Sequence, residues 1–198
     1  MSIHSLPARL LFRARHMNLP ALLRTGWLRL CGVKCGKNTL FPRTSVSWPH
    51  QLQIGDDCFL EPDIFFKFDG IWAPGPSIII GNHVFIGRGC EFNIKKSIHI
   101  GDHCLIGSGS KFIDHDHGIN PTQLIHLQAG PQASISVGSD TWIGDNVVVL
   151  KGVCIGRGSV VGAGAIVTRD IGDFEIWAGV PARKMGERDS QTNDRLVK

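Results

Sequence analysis

The residues best suited to chemistry form one run, Asp114-His115-Asp116-His117. An imidazole takes a proton from a hydroxyl or an amine near neutral pH, and a neighbouring carboxylate can hold its tautomer. Taken alone, a run of this composition is just as typical of a solvated turn. Its position in the repeat described next, immediately before a long interruption, favours catalysis. We therefore take the two histidines as candidate bases, with Asp114 or Asp116 orienting the one that acts.

A six-residue repeat must position this run. Fourteen hexads begin with Ile, Leu, Val or Phe, and nine of them have glycine second. The fifth residue is usually small or aliphatic, and a weaker trio extends the series back to Cys35. The consecutive hexads from Val137 are VGSDTW, IGDNVV, VLKGVC, IGRGSV, VGAGAI and VTRDIG. A period this regular indicates a solenoid rather than a layered domain.

The period predicts a triangular coil in which three hexads make one turn. The first residue of each hexad points inward and stacks on its counterpart one coil away, and the small fifth residue fills the narrow corner. We assign the second-position glycine to the backbone angles of the turn. An antiparallel sandwich would need alternation with period two, and amphipathic helices would need a period of 3.6. The predicted fold class is therefore all-β, a parallel solenoid.

Composition narrows the class further. The 198 residues are 42% hydrophobic and 19% charged, which excludes a disordered chain, and no apolar stretch approaches the roughly 18 residues of a spanning helix. Arginines interrupt the apolar run near the start, so we expect no signal peptide. Cys58, Cys90 and Cys104 occupy equivalent fifth positions and are predicted core residues. We expect a reducing, cytoplasmic location.

The charge is unevenly distributed. No Asp or Glu occurs up to Gly55, although eight Lys and Arg residues do. This basic head suits an anionic partner such as lipid or phosphate, or is simply a solvated helix. Residues 8–30 have near-helical apolar spacing, broken at Pro20, and indicate either a cap on the open coil or an interfacial helix with Trp27 as anchor. We favour the cap, and both roles can hold. No nucleic-acid partner is expected.

Three segments follow from these patterns. Residues 1–32 form the basic N-terminal segment, residues 33–186 the solenoid, and residues 187–198 a polar mobile tail. Breaks in the repeat predict protruding loops at 67–77 and 118–134. A long loop on a compact solenoid is more often functional than accidental.

With these hexads the chain resembles the hexapeptide-repeat acyltransferases over roughly residues 33–186, and is most similar to the sugar and polysaccharide O-acetyltransferases. The resemblance implies a left-handed parallel β-helix, an exception to the usual right-handed crossover. It also implies a homotrimer with active sites between neighbouring prisms, and acetyl-CoA as the acyl donor.

The resemblance also assigns residues. Counting from Ile100, the family places its catalytic histidine eighteenth, which is His117, with His115 as the second choice and Asp114 as its partner. Gly118 stands where the family usually has proline. Acceptor binding is assigned to Asn93, Asp116 and Trp72. Lys95 and Lys96 replace acidic residues often found after the position of Asn93.

The donor half is similar from Trp142 to Arg183. By this resemblance the backbone at Asp145 and Ala163 lines the pantetheine arm. Thr168, Arg169 and Arg183 approach the nucleotide phosphates, as cations suit that end of the groove. The remaining cofactor-binding assignments are Trp142 and Gly144. Packing alone also explains the glycines and Ala163.

These observations predict an acetyl-CoA-dependent O-acetyltransferase of a sugar hydroxyl, in bacterial surface polysaccharide or oligosaccharide assembly. Transfer is direct, with a histidine base and no metal. A sugar or lipid-linked glycan at the inner membrane face is the expected acceptor. The alternatives are an N-acetyltransferase of an amino or nucleotide sugar, a γ-carbonic-anhydrase-like metalloprotein, and a solenoid scaffold without catalysis. The γ-type enzymes need two histidines five residues apart, and no pair here has that spacing, although Asp114, His115 and His117 could still chelate a metal.

Overall fold

The computed structural model describes residues 19–189, which form a helix and nineteen short strands wound into a three-sided coil. Helix α1 spans Leu19–Leu30, and single 3-10 turns span Pro49–Gln51 and Ile125–Leu127. The strands in chain order are β1 Lys34–Cys35, β2 Ser45–Val46, β3 Leu52–Ile54, β4 Phe59–Leu60, β5 Phe65–Phe68, β6 Ile78–Ile80, β7 Phe85–Ile86, β8 Glu91–Ile94, β9 Ile98–Ile100, β10 Leu105–Ile106, β11 Lys111–Ile113, β12 Ile135–Val137, β13 Trp142–Ile143, β14 Val148–Leu150, β15 Cys154–Ile155, β16 Val160–Val161, β17 Ile166–Val167, β18 Glu175–Ala178 and β19 Arg183–Glu187.

Three sheets form the faces of the coil. The first face contains β1, β3, β6, β9, β12 and β15, the second β4, β7, β10, β13, β16 and β18, and the third β2, β5, β8, β11, β14 and β17. Each of these strands pairs in parallel with a strand of the next coil, and β19 closes the second face by antiparallel pairing with β18. The predicted all-β parallel solenoid is confirmed.

The core follows the hexads. Every first-position residue is at most 5% exposed, and so are the predicted fifth-position residues, Cys58, Cys90 and Cys104 among them. Behind the third face, Phe66, Phe92 and Phe112 stack with centroids 5.0 Å apart. The coil is therefore packed along its axis by matched side chains, one per coil and face.

The reason that we predicted for the second-position glycine is wrong. At Gly107, an added Cβ would lie 2.6 Å from the backbone nitrogen of Asp145 in the next coil, so the residue is small because the coils approach closely. In most hexads the left-handed turn residue is instead the fourth, for example Asp57 (φ 54°), His103 (φ 60°) and Gly152 (φ 77°).

Two excursions interrupt the coil without shifting its register. Val149 pairs with Val167, 18 residues on, whereas Phe66 pairs with Phe92 across 26 residues and Phe112 pairs with Val149 across 37. The shorter excursion begins at Asp69, because Lys67 and Phe68, which we assigned to the first loop, remain in β5. The longer one occupies the predicted 118–134.

Helix α1 covers the first coil. Ala21, Thr25 and Leu28 face the coil and are buried. The Thr25 hydroxyl accepts a hydrogen bond from the backbone N–H of Phe41 at 2.9 Å. Pro20 does not interrupt this helix, since it lies in the first turn, where no intrahelical N–H bond is lost. The part of the N-terminal prediction that concerns residues 1–18 lies outside the described residues.

At the other end, β18 and β19 form a hairpin. Glu187 belongs to β19, and Arg188 donates to the carboxylate of Asp140 at 2.8 Å, so the predicted tail boundary at 187 is too early by at least these residues. The predicted tail from 190 onward lies outside the described residues. Among residues 19–189, no helix has the length and apolar character needed to cross a bilayer.

Candidate functional site

The candidate residues concentrate at the two corners of the third face. We call the trailing corner the set of residues that follow its strands, and the leading corner the set that precedes them. The trailing corner contains Asp69 after β5, Lys95 after β8, Asp114 and His115 after β11, Lys151 after β14 and Arg169 after β17. The leading corner contains Arg88 before β8, Ser108 before β11, Asp145 before β14 and Ala163 before β17. Parallel strands in register bring residues of successive coils about 4.8 Å apart along each corner.

Asp114 is the buried anchor of the trailing corner. Its carboxylate accepts hydrogen bonds from the backbone N–H groups of Lys95 and Lys96 at 2.7 Å and of Ser97 at 2.9 Å. His115 Nδ1 is the fourth partner, at 3.0 Å. The carboxylate thus ties the end of β11 to the turn after β8, and it fixes the plane of the His115 ring.

His115 lies between two carboxylates. Its Nδ1 faces Asp114, and its Nε2 is 3.1 Å from Oδ2 of Asp69. The ring is 9% exposed. Both ring nitrogens are therefore engaged by carboxylate oxygens. Neither nitrogen is left to accept a proton from a substrate while these contacts hold.

Asp69 is a site residue that the sequence analysis missed. Partial burial raises the pKa of its carboxyl, but Lys67 at 3.1 Å, with His115 and Lys95 nearby, outweighs burial and lowers the pKa overall. No motif marks Asp69, because the eight extra residues of this coil hide its alignment with the histidine run. Its position after β5, the strand two coils before β11 on the same face, was the available signal.

His117 differs from His115 in being exposed, and within residues 19–189 its ring has no hydrogen bond or ion pair. The neighbouring Asp116 forms an ion pair with Lys151. Its backbone N–H donates to the carbonyl of Pro131 at 3.0 Å, so the long excursion returns alongside the run. The structure therefore places one histidine in a rigid clamp and the next one in solvent.

Asn93 and Trp72 occupy different parts of the surface. Asn93 lies on β8 in register with Lys67 and Ile113, and its Oδ1 is buried with no hydrogen-bond partner among the described residues. A buried acceptor of this kind fits a donor from a bound molecule. Trp72 is 64% exposed on the shorter excursion and stacks on His50, not on the histidine run.

The leading corner is defined by its backbone. At several corners of the coil, the N–H of the third residue of a hexad donates to a side chain of an adjacent coil, as Ser108 does at the leading corner and Asp56 at the corner between the first and second faces. Ser108 N–H donates to Asp145 Oδ1 at 2.8 Å, and Asp56 N–H donates to Asn82 Oδ1 at 2.9 Å. Above Asp145 stands Ala163, whose methyl group accepts no hydrogen bond. Within the described part of the chain, the N–H groups of Asp145 and Ala163 both lack a partner.

The remaining donor candidates are divided between the two corners and the C-terminal hairpin, with Thr168 and Arg169 at the trailing corner. Gly144 is buried beneath Ala163, and Trp142 is 53% exposed on the second face. Thr168 and Arg169 are exposed after β17. Arg183 opens β19, and the preceding residue donates its N–H to the carbonyl of Ile166 at 2.8 Å, which holds β19 against β17.

The described residues hold no metal-binding group, and the buried core cysteines are not suited to thiol chemistry. No group of three His, Cys, Asp or Glu side chains in residues 19–189 is arranged to hold a metal. Burial raises the pKa of the Cys90 and Cys104 thiols to about 11, which keeps them protonated and unreactive.

Two family models match the chain. The model described as bacterial transferase hexapeptide (six repeats) matches residues 134–169, and the hexapeptide repeat of succinyl-transferase matches residues 77–111. The chain is 29% identical to the galactoside O-acetyltransferase of Lactococcus lactis, over 78% of this chain and 77% of that protein. It is 33% identical to the galactoside O-acetyltransferase of Escherichia coli, over 72% of this chain and 64% of that protein. Across its most similar curated relatives, the chain spans 58% to 77% of the relative's length.

Among solved structures, the chain is similar to a point mutant of AntD, an N-acyltransferase from Bacillus cereus in complex with dTDP and coenzyme A. The TM-score is 0.72 at 21% identity, over 86% of this chain and 92% of that chain, a likeness of fold. The repeat models, the relatives and the fold neighbour agree with the stacked hexads. The chain is similar to the hexapeptide-repeat acetyltransferases in its repeats and its relatives, and it has the left-handed parallel β-helix fold.

Proposed function

We propose that this protein is an acetyl-CoA-dependent O-acetyltransferase of a sugar hydroxyl, acting in bacterial surface polysaccharide or oligosaccharide assembly. The observation that carries the proposal is the pair of unpartnered N–H groups at Asp145 and Ala163, on the face that also bears the histidine run. Relatives named galactoside O-acetyltransferase support a sugar acceptor, and the neighbour complexed with coenzyme A supports the donor.

The leading corner suits the pantetheine arm. Its two free N–H groups lie on successive coils, about 4.8 Å apart, and match the amide carbonyls of an extended pantetheine chain. Trp142 and Gly144 border this strip. Thr168, Arg169 and Arg183 supply a hydroxyl and two guanidinium groups at the last coil, where the nucleotide phosphates would bind.

The histidine run supplies the base. His117 Nε2 or Nδ1 removes the proton of the acceptor hydroxyl as that oxygen attacks the thioester carbonyl carbon. The new C–O bond forms, the C–S bond breaks, and the coenzyme A sulfur leaves with the proton returned by the imidazolium. A backbone N–H at the leading corner, that of Asp145, stabilises the negative oxygen of the tetrahedral intermediate. No acyl-enzyme is formed.

His115 acts as a positioning residue. Clamped by Asp114 and Asp69, it holds the end of β11 and so sets the position from which His117 projects. For the acceptor, Asn93 offers its buried Oδ1, Asp116 a carboxylate beside the base, and Trp72 an aromatic surface.

A homotrimer would complete the site. On one chain the free N–H groups and His117 lie at different corners, so contact between copies is what would bring them together. The second face offers an apolar surface for that contact. One partly exposed apolar side chain per coil lies in register there, along Phe59, Phe85, Leu105, Trp142, Val160 and Ile176. Light scattering should give three chains per particle, and Leu105→Lys should reduce the mass to one chain; a monomeric parent protein would contradict the proposal.

The N-terminal helix would place the enzyme at the inner, cytoplasmic face of the membrane, near a lipid-linked acceptor. The side of α1 that faces away from the coil exposes Leu19, Leu22, Leu23, Trp27 and Leu30, with arginines and no acidic residue nearby. An apolar stripe with cations suits an anionic bilayer surface. Co-sedimentation with phosphatidylglycerol vesicles should exceed that with phosphatidylcholine vesicles and fall for Trp27→Ser; no sedimentation with either would contradict this placement.

An N-acetyltransferase of an amino or nucleotide sugar is the second candidate, favoured by the fold neighbour crystallised with dTDP. The same base and donor strip would serve an amine. The acetylated product distinguishes the two candidates. An N-acetyltransferase would form an amide at the nitrogen of an amino sugar, and no acetyl ester would accumulate.

The test is release of coenzyme A from acetyl-CoA with free sugars, nucleotide sugars, amino sugars and lipid-linked glycans. We expect a neutral sugar hydroxyl to be acetylated, and His117→Ala to lower the rate at least about 100-fold with the fold unchanged. The matched control is His99→Ala, an exposed histidine on the first face. Near-normal turnover of His117→Ala would reject His117 as the base, and a panel in which no sugar is acetylated would reject the function.

A further inference from the structure

An aromatic platform stands beside the trailing corner, formed by Trp48, His50 and Trp72. The rings of His50 and Trp72 stack with centroids 5.8 Å apart at 27°, and Trp48 meets His50 edge-on at 5.9 Å and 78°. Trp72 remains 64% exposed at the outer end of this stack. The platform therefore offers a supported indole surface to solvent.

The platform is tied to its loop by polar contacts. Trp48 Nε1 donates to the carbonyl of Gly70 at 3.2 Å, and Gln51 Nε2 donates to the carbonyl of Ala73 at 2.6 Å. These bonds fix the loop on both sides of Trp72. The indole is thus held before any ligand arrives, which lowers the entropy cost of binding to it.

The same loop begins at the candidate catalytic centre. Asp69, its first residue, contacts His115 Nε2 at 3.1 Å. Trp72 is the third residue after Asp69, so their Cα atoms lie at most about 11 Å apart. The platform is therefore a neighbour of the site where the reacting hydroxyl would bind, although Trp72 itself makes no ring contact with the histidine run.

From this geometry we propose that the platform binds a second sugar ring of the acceptor, next to the ring that is acetylated. The proposal rests on the proposed function and deepens it, since it assigns the enzyme an oligosaccharide rather than a single sugar. The C–H face of a pyranose packs on the negative face of an indole, while its hydroxyls remain hydrated or reach nearby carbonyls. A patch of one indole with polar edges suits a ring of that size, whereas a protein partner needs a far larger surface.

The test compares a monosaccharide acceptor with two disaccharides in the coenzyme A release assay. The monosaccharide is the methyl glycoside of the sugar that the panel identifies, and each disaccharide carries one added hexose at one end of that sugar. The wild-type protein should show at least about 10-fold higher kcat/KM for one of the disaccharides. Trp72→Ala should lower kcat/KM for that disaccharide about 10-fold more than for the monosaccharide, and Trp72→Phe should retain part of the preference.

Ile71→Ala is the matched control, because Ile71 is 89% exposed on the same loop and should leave the disaccharide preference intact. Equal kcat/KM for the monosaccharide and the disaccharides in the wild-type protein would overturn the proposed role of the platform. So would an equal loss on the monosaccharide and the preferred disaccharide in Trp72→Ala, and both outcomes would leave the proposed function standing. A panel without any acetylated sugar would instead overturn the proposed function itself.

Discussion

The two corners of the third face work by opposite means. At the trailing corner, the candidate site is built from side chains, and Asp114 satisfies three backbone N–H groups and one imidazole. At the leading corner, the candidate site is the backbone itself, because Ala163 has no acceptor like the one that Asp145 supplies to the N–H of Ser108 below it. The trailing corner thus differs from the other corners by having the carboxylate of Asp114, and the leading corner differs by having no acceptor side chain at Ala163.

This difference shows what a solenoid repeat can encode. At the leading corner, the N–H groups of Arg88 and Ser108 each donate to a side chain of a neighbouring coil, whereas those of Asp145 and Ala163 have no partner among the described residues. A single small residue opens the N–H below it to a ligand at no cost to the core. A site built on a histidine needs several matched residues, because its side chains must be held by partners from other coils.

The largest effect on stability should come from a substitution at the trailing corner. Asp114→Ala leaves three backbone N–H groups and His115 Nδ1 without their acceptor, which should destabilise the fold by about 3 kcal/mol or more. Asp116→Ala, at an exposed ion pair in the same run, should change the free energy of unfolding by less than about 1 kcal/mol. Urea unfolding measures both variants. Equal stability of the two would show that Asp114 does not hold the corner.

At the leading corner, coenzyme A affinity should fall when a side chain occupies the free N–H of Asp145. In Ala163→Asn, the new amide oxygen stands above Asp145 N–H as Asn82 stands above Asp56 N–H. We expect coenzyme A to bind about 10-fold more weakly while the fold is kept, since one hydrogen bond to the ligand is replaced by an internal one. Titration calorimetry gives the affinity. Ala163→Gly, which leaves the N–H open, should bind as the parent does, and an Asn variant with parental affinity would mean that this N–H is not used.

The smallest effect should come from the hairpin that carries Arg183 to the leading corner's last coil. Hydrogen bonds from Lys184, from the N–H of Gly172 and from Trp177 Nε1 lower the pKa of Glu175 from 4.5 to about 2. A lowered pKa stabilises the fold above pH 4.5, and this contribution is lost as the pH falls from there toward 2.

Glu175→Gln should therefore be less stable than the parent at pH 7, and the gap should narrow between pH 4.5 and pH 2. Urea midpoints at pH 7, 5, 4 and 3 follow the gap directly. A gap that stays constant over that range would show that the charge of Glu175 does not contribute.

Much of the fold was predictable from the sequence because packing imposes it residue by residue. The inward first and fifth positions, including Cys58, Cys90 and Cys104, follow from the volume available inside a triangular coil. The function of the second-position glycine was not predictable from its conformational freedom, since its role is the close approach of coils, a long-range property.

The candidate site was predictable only where one segment carries it. The composition of residues 114–117 identifies the histidine run, but no composition or motif identifies the residues that hold it. Asp69 comes from a coil whose excursion obscures the alignment, and the turn after β8 binds Asp114 through backbone groups that leave no trace in residue type. For the same reason, the open N–H groups of the leading corner become visible only when the coils are stacked.

Both excursions leave the prism and rejoin it in register, so the strands before and after them pair as if the extra residues were absent. The length and composition of each excursion can therefore change without changing the strand pairing that stabilises the coil. Foreign segments could thus be grafted after Asp69 or after His117 without repacking an interior residue, and the surface beside the histidine run can change while the coil stays the same.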